Sequence, residues 1–319
     1  MSHDHQVRHL TEYDRRKFLK LSGIATGLAF LNTVASVESL SALPEFKLSG
    51  FSAFAKTVKV FKGDKYYLVE SHGLPAHNMM IGIKSWQQQV PTIQNYVGTN
   101  AWSIPIKPVI AAHPISARDH FLRGAIALAV NGVPIFNALN NRGEDALLAG
   151  ELDDWGGHCG RADDYHYHIA PTHLQTLIGK KVPIAYALDG FPIYGETEND
   201  GKKVIGLDEF NGHFDSKKRY HYHATKNFPY INGGFKGVVT EVEGQVDPQP
   251  SAKAFRPAGV PLRGAEITGL ERIGENSFDL TYSLNGSNFH IKYSATLSEV
   301  NMQFIDASGA IRTEVYKRK

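Results

Sequence analysis

The feature that most restricts how this chain can fold is an internal repeat. The segment Ile126-Ala-Leu-Ala-Val-Asn-Gly-Val-Pro-Ile-Phe-Asn137 aligns with Ile184-Ala-Tyr-Ala-Leu-Asp-Gly-Phe-Pro-Ile-Tyr-Gly195. Further on, Leu152-Asp-Asp-Trp-Gly-Gly-His158 aligns with Leu207-Asp-Glu-Phe-Asn-Gly-His213, and in each copy Tyr-His-Tyr-His begins seven positions after that histidine, at 165–168 and 220–223. Six of twelve positions are identical in the first block and eight of seventeen in the second, against about two expected by chance over that length at average composition. Whatever one copy builds, the other is expected to build again.

Each copy opens with an apolar, β-prone run that ends in Asn131-Gly132 or Asp189-Gly190 and then proline, the pattern of a strand entering a tight turn. A variable loop, an acidic Leu-Asp-Asp/Glu segment, a Gly-His turn and a short aromatic strand follow. Residues 171–179 have a threonine, an apolar spacing and a terminal glycine that predict one or two helical turns. Residues 57–73 alternate about Lys62-Gly63-Asp64-Lys65 and predict a hairpin. The expected fold class is mainly β, a β-rich α+β arrangement with a pseudo-symmetric duplicated domain over 43–243 (copies about 124–168 and 182–223). A Pro/Ala/Gly-rich linker is expected at 244–262, and a small all-β module at 263–319.

The chemistry sits in the histidines. Alternate side chains of a strand share a face, so His166 and His168 point together while Tyr165 and Tyr167 point the other way. Their Cα atoms are roughly 6.5–7 Å apart, close enough for two imidazoles to converge on one metal. His221 and His223 repeat the arrangement, and His158 and His213 each offer a third nitrogen. Three histidines with an open position suit a catalytic zinc site, and also copper or iron; manganese is a further candidate. Each copy owning a site, and one site shared at the pseudo-dyad, both satisfy the spacing. His77, in Gly73-Leu-Pro-Ala-His77, is a further candidate ligand on a proline-stiffened turn. Among the acidic residues beside the histidines (Glu151, Asp153, Asp154, Asp163, Asp164, Asp208 and Glu209), Asp153 and Asp154 are the expected proton-handling pair. The bland alternative makes the histidines core polar groups and the carboxylates a solvated loop. The four tyrosines of the two motifs are assigned to the core.

Composition narrows the setting. A single cysteine, Cys159, rules out an intramolecular disulfide, and Phe214 stands at its place in the second copy, which gives it a packing role. A net charge of +2 gives no reason to expect nucleic acid; the expected ligand is a small molecule or a metal ion. Residues 1–42 read as an export signal: Asp14-Arg15-Arg16-Lys17-Phe18-Leu19-Lys20 precedes an apolar stretch too short to span a bilayer, and the paired arginines resemble the twin-arginine signal. The mature protein is therefore expected in the periplasm or outside the cell, without a membrane segment. Of the twelve histidines beyond that signal, seven fall between 158 and 223.

These motifs, in order, resemble the YHYH-domain proteins. The resemblance runs over roughly residues 58–240 and rests on Gly73-Leu-Pro-Ala-His77, Asn131-Gly-Val-Pro-Ile-Phe136, Glu151-Leu-Asp-Asp-Trp-Gly-Gly-His158, Leu188-Asp-Gly-Phe-Pro-Ile-Tyr-Gly195, both Tyr-His-Tyr-His runs and Phe228-Pro-Tyr230. It implies an exported bacterial protein and no established reaction. Many members of the family carry cysteines where this chain has Trp155 and about Gly233–Gly234, so a bridge between them is not expected here. The leading functional expectation is a metal-dependent hydrolase or oxidoreductase. A metal-buffering protein and a purely structural domain are the competitors. Serine-hydrolase, phosphate-loop and dinucleotide motifs are missing.

Overall fold

A computed structural model describes residues 43–84 and 86–318 of the chain; the twin-arginine segment and its histidines lie outside them. Twenty strands carry the fold: β1 Lys59–Lys62, β2 Tyr66–Glu70, β3 Trp102–Pro105, β4 Ile110–Ser116, β5 Ala125–Ala129, β6 Pro134–Phe136, β7 Gly157–Cys159 and β8 Tyr165–Tyr167 in the first part. Then come β9 Ala185–Ala187, β10 Pro192–Tyr194, β11 Gly212–Phe214, β12 Tyr220–His223, β13 Gly234–Gly237, β14 Thr240–Val242 and β15 Gln245–Asp247. The last five are β16 Glu266–Gly274, β17 Ser277–Leu284, β18 Ser287–Ala295, β19 Glu299–Ile305 and β20 Ile311–Lys317. Between β8 and β9 a 3-10 turn, Thr172–Leu174, runs into a helix, Gln175–Ile178, that stops at Gly179 in the left-handed region. The fold is β-rich, as the periodicity predicts, and β1 and β2 form the expected hairpin, with Lys59 opposite Glu70.

The repeated segments meet in one eight-stranded sheet of order β11-β12-β10-β9-β5-β6-β8-β7. Its two halves have the same order when read outward from the β5–β9 centre. A hairpin (β5–β6 or β9–β10) is extended by a strand parallel to its second member, and that strand by an antiparallel edge strand. At the centre Leu128 faces Tyr186, the residues that align with each other in the two copies. Every residue of β5 and β9 is buried, so both faces of the central pair are covered. That explains an apolar run in place of strict alternation.

The edge strands are held by a device that recurs in both halves. Asp153 Oδ1 accepts the backbone N–H groups of Trp155 and Gly157, and Asp208 Oδ1 accepts those of Phe210 and Gly212, an Asx turn closing on itself. The first tyrosine of each Tyr-His-Tyr-His run then donates its hydroxyl to the same carboxylate, Tyr165 to Asp153 at 2.8 Å and Tyr220 to Asp208 at 3.0 Å. To reach it the ring passes over the glycine before the turn histidine. A Cβ on Gly157 would lie 2.5 Å from Tyr165 Oη, and one on Gly212 2.1 Å from Tyr220 Oη. The Gly-His pair is thus dictated by the tyrosine above it.

Strands β16 to β20 form a five-stranded antiparallel meander in sequence order. It meets the segment between β2 and β3 through Gly82 N–H to Ile267 O, Ile267 N–H to Ile83 O, and Tyr293 Oη to Pro91 O. Residues 82–93 therefore lie along the meander's first strand as well as its face, and all described residues fall in one compact unit.

Because its Cβ would strike the hydroxyl that closes the turn, Gly212→Ala is expected to cost about 1–3 kcal/mol. Denaturant unfolding of the variant beside the parent checks this, and an unchanged midpoint would mean that the ring does not cover the glycine.

Candidate metal centre

Turn and strand together bring three imidazoles into one cluster in each half. In the β7–β8 pair His158 lies directly opposite His166, with His168 just past the end of β8. In the β11–β12 pair His213 lies opposite His221, with His223 following. The ligand atoms of His158, His166 and His168 all lie within 4.8 Å of one another, and so do those of Glu198, His213, His221 and His223. The clusters sit at opposite ends of the sheet: β8 and β12 are five strand spacings apart, roughly 24 Å at about 4.8 Å per spacing. Each half owns its cluster, and the shared-site alternative is excluded by the strand order.

The orientation of the rings decides what the clusters can hold. In the first, His158 Nδ1 meets Glu151 O at 3.1 Å, His166 Nδ1 meets Asp164 O at 3.0 Å, and His168 Nδ1 meets Asn137 O. In the second the partners are Ile205 O for His213, Arg219 O for His221 and Gly195 O for His223, the last at 2.8 Å. A carbonyl only accepts, so these contacts place a proton on Nδ1 and turn Nε2 away from the carbonyl. The Nε2 atoms converge: His158 Nε2 lies 3.0 Å from His168 Nε2, and His213 Nε2 lies 3.1 Å from His221 Nε2. Two acceptors at that distance repel, and the buried Nε2 of His223 has no hydrogen-bond partner. A cation at the centre resolves both problems, and backbone carbonyls fixing the distal nitrogen are the usual second shell of a histidine metal site.

In the first cluster protonation gives little relief. Burial first, and then the neighbouring imidazoles, hold His158 well below the ordinary histidine range and His168 at about 3. Burial lowers His223 to about 4 despite its bond to Gly195 O. Phe136 stacks on His166 with ring centroids 3.8 Å apart, and Tyr194 at the matching place meets His221 edge-on at 5.4 Å. The first cluster lies in the wall of a cavity of about 270 Å³ whose lining also includes Asn140, Arg142, Glu151, Arg161 and Gln87.

The other expected site residues stand elsewhere. Asp153 is buried and committed on both oxygens, Oδ1 to the turn and Oδ2 to Met80 N–H and Tyr165 Oη. It serves the tyrosine face of β8, opposite the imidazoles. Asp154 is exposed and lies outside the lining of the cavity. His77 joins neither cluster: its Nδ1 bonds Asn78 O and its Nε2 receives the Tyr167 hydroxyl at 2.7 Å, while its ring stacks on Trp155. Asn131 donates to the same hydroxyl, so that hydroxyl's own proton goes to His77 and every polar atom of the ring is used. Glu198 was not among the carboxylates expected beside the histidines. Continuing the first aligned block three residues further would have set it against Asn140 and marked the difference.

A protein-family model described as YHYH protein matches residues 101–205, a stretch that contains the whole first cluster and Glu198. No curated protein and no solved structure matches the chain.

Replacing Asp153 by alanine strands three backbone N–H groups and the Tyr165 hydroxyl, so a loss of at least about 3 kcal/mol is expected. Asp154→Ala should leave the unfolding midpoint where it is. Equal stability of parent and Asp153→Ala would return Asp153 to consideration as a reactive group.

Proposed function

With residues 101–205 carrying the YHYH domain, we propose that this protein is an exported metalloenzyme that binds one transition-metal ion in each of its two histidine clusters and reacts substrate at the first. The observation that carries the reading is that backbone carbonyls meet Nδ1 of each imidazole, while the ligand atoms of each cluster lie within 4.8 Å of one another. Imidazole ligands without thiolate suit Zn²⁺ or Cu²⁺. A bound ion supplies Lewis acidity at neutral pH if zinc, or a redox couple if copper.

The chain's own residues do the rest. His158, His166 and His168 hold the ion on rigid strand geometry, and the stacked Phe136 shields one side of His166 from water. The cavity beside them bounds a small polar substrate. Glu151 orients His158 through its backbone oxygen and lines the same cavity. Placement in the periplasm or outside the cell rests on the paired arginines at 15 and 16; among the described residues no helix is long and apolar enough to cross a membrane.

Elemental analysis of the natively exported protein, purified without chelator or histidine tag, tests this reading. Two metal ions per chain are expected, falling to one in His166→Ala/His168→Ala and to one in His221→Ala/His223→Ala. A folded, metal-free parent that takes up neither added Zn²⁺ nor Cu²⁺ would make the histidines ordinary core groups.

A further inference from the structure

The two clusters are built alike and finished differently. Asn140 and Glu198 occupy the same place in matching turns: Asn140 N–H reaches Glu144 O at 2.8 Å and Glu198 N–H reaches Lys202 O at 2.9 Å, with the bridges Leu139–Asp145 and Thr197–Lys203 around them. In the second half Glu198 turns its carboxylate into the cluster, Oε1 lying 3.2 Å from His213 Nε2 and Oε2 3.9 Å from His223 Nε2. Three imidazoles and a carboxylate make a complete four-donor set. In the first half Asn140 contributes no donor. Its Oδ1 accepts the N–H groups of Arg142 and Glu144, and its Nδ2 is held by Glu144 and Glu151. Where the second cluster has its fourth donor, the first has the cavity.

Among the described residues, the one carboxylate that lines that cavity is already engaged: Glu151 pairs with Arg142, which Glu144 also binds. Arg161 lines the same wall, is exposed, and has neither an ion pair nor a side-chain hydrogen bond among the described residues. A divalent ion on three neutral imidazoles keeps its full charge there, whereas Glu198 halves it at the other end.

Resting on the two-metal reading above, we propose that the first metal site takes a small oxyanion, the carboxylate of its substrate, as fourth ligand with Arg161 as counter-charge, while Glu198 closes the second site to such ligands. Asn140 against Glu198 is the residue pair that separates the two.

The test uses the full chain loaded with Co²⁺, whose visible absorption reports the ligands around it, titrated with acetate and, as an uncharged match, acetamide. In His221→Ala/His223→Ala, which keeps the first site, acetate should shift the spectrum saturably and acetamide should not. In His166→Ala/His168→Ala neither should act. Arg161→Gln should weaken acetate binding about three- to tenfold. Two variants with all six histidines intact guard against misfolding: Asn140→Glu should abolish the acetate response, and Glu198→Asn should create a second one. Stoichiometric Co²⁺ with no acetate response at the first site overturns this proposal and leaves the metal reading standing. An acetate response of equal strength at both sites also overturns it. A chain that binds no Co²⁺ overturns both.

Discussion

The hydrogen bond from the first tyrosine of each Tyr-His-Tyr-His run to a turn aspartate fixes everything around it. Tyr165 to Asp153 and Tyr220 to Asp208 lock an edge strand onto its neighbour with the turn histidine opposite the first strand histidine. A bond to a carboxylate is worth about 1.5–3 kcal/mol, and at the buried Asp153 losing it strands the aspartate as well. Since the side-chain period of a strand is two, a slip of one residue would turn the imidazoles to the tyrosine face. Burial raises the Asp153 carboxyl while its hydrogen bonds pull the other way, so that the register rests on a group whose own ionisation depends on the bonds it makes.

From this constraint follows a division of labour across one short strand. On one face Tyr165 and Tyr167 are buried and tied to Asp153, Asn131 and His77; in the second half Tyr220 and Tyr222 are tied to Asp208 and Asp189. Burial raises the Asp189 carboxyl to about 6 even though Tyr222 Oη, Gly237 N–H and Phe191 N–H all donate to it. On the other face each imidazole Nδ1 meets a backbone carbonyl. Other acidic residues nearby serve turns and ion pairs. Asp163, held by Arg256 and Val90 N–H, is used in that way.

Much of this was legible in the residues. The repeat, the alternation of tyrosine and histidine, and the Gly-His turn seven positions upstream place six histidines and four tyrosines on the correct faces. The hairpin at 59–70 and the helical turn before Gly179 follow from local chemistry alone. Three features did not, for one physical reason: each depends on which loop reaches which strand. Periodicity puts Asp153 near His158 in sequence, but the turn that presents the histidine consumes the aspartate in holding itself shut. His77 sits on a stiff turn, and only the tertiary fold shows that the turn delivers it to Tyr167. Whether the clusters merge or stay apart depends on strand order, and the β5–β9 centre keeps them apart.

Near-symmetry makes the remaining difference informative. Two turns of equal length, closed by the same backbone bond, carry asparagine in one copy and glutamate in the other. The fold treats the position identically, so backbone geometry does not account for the choice. The side chains' surroundings do. Asn140 completes a network with Arg142, Glu144 and Glu151 that would bring three carboxylates together if a glutamate stood there, a like-charge crowd with one arginine to balance it. Glu198 turns its carboxylate toward His213 Nε2 and His223 Nε2, where positive charge stabilises it. The same scaffold therefore presents one imidazole cluster with a carboxylate among its ligand atoms and one without.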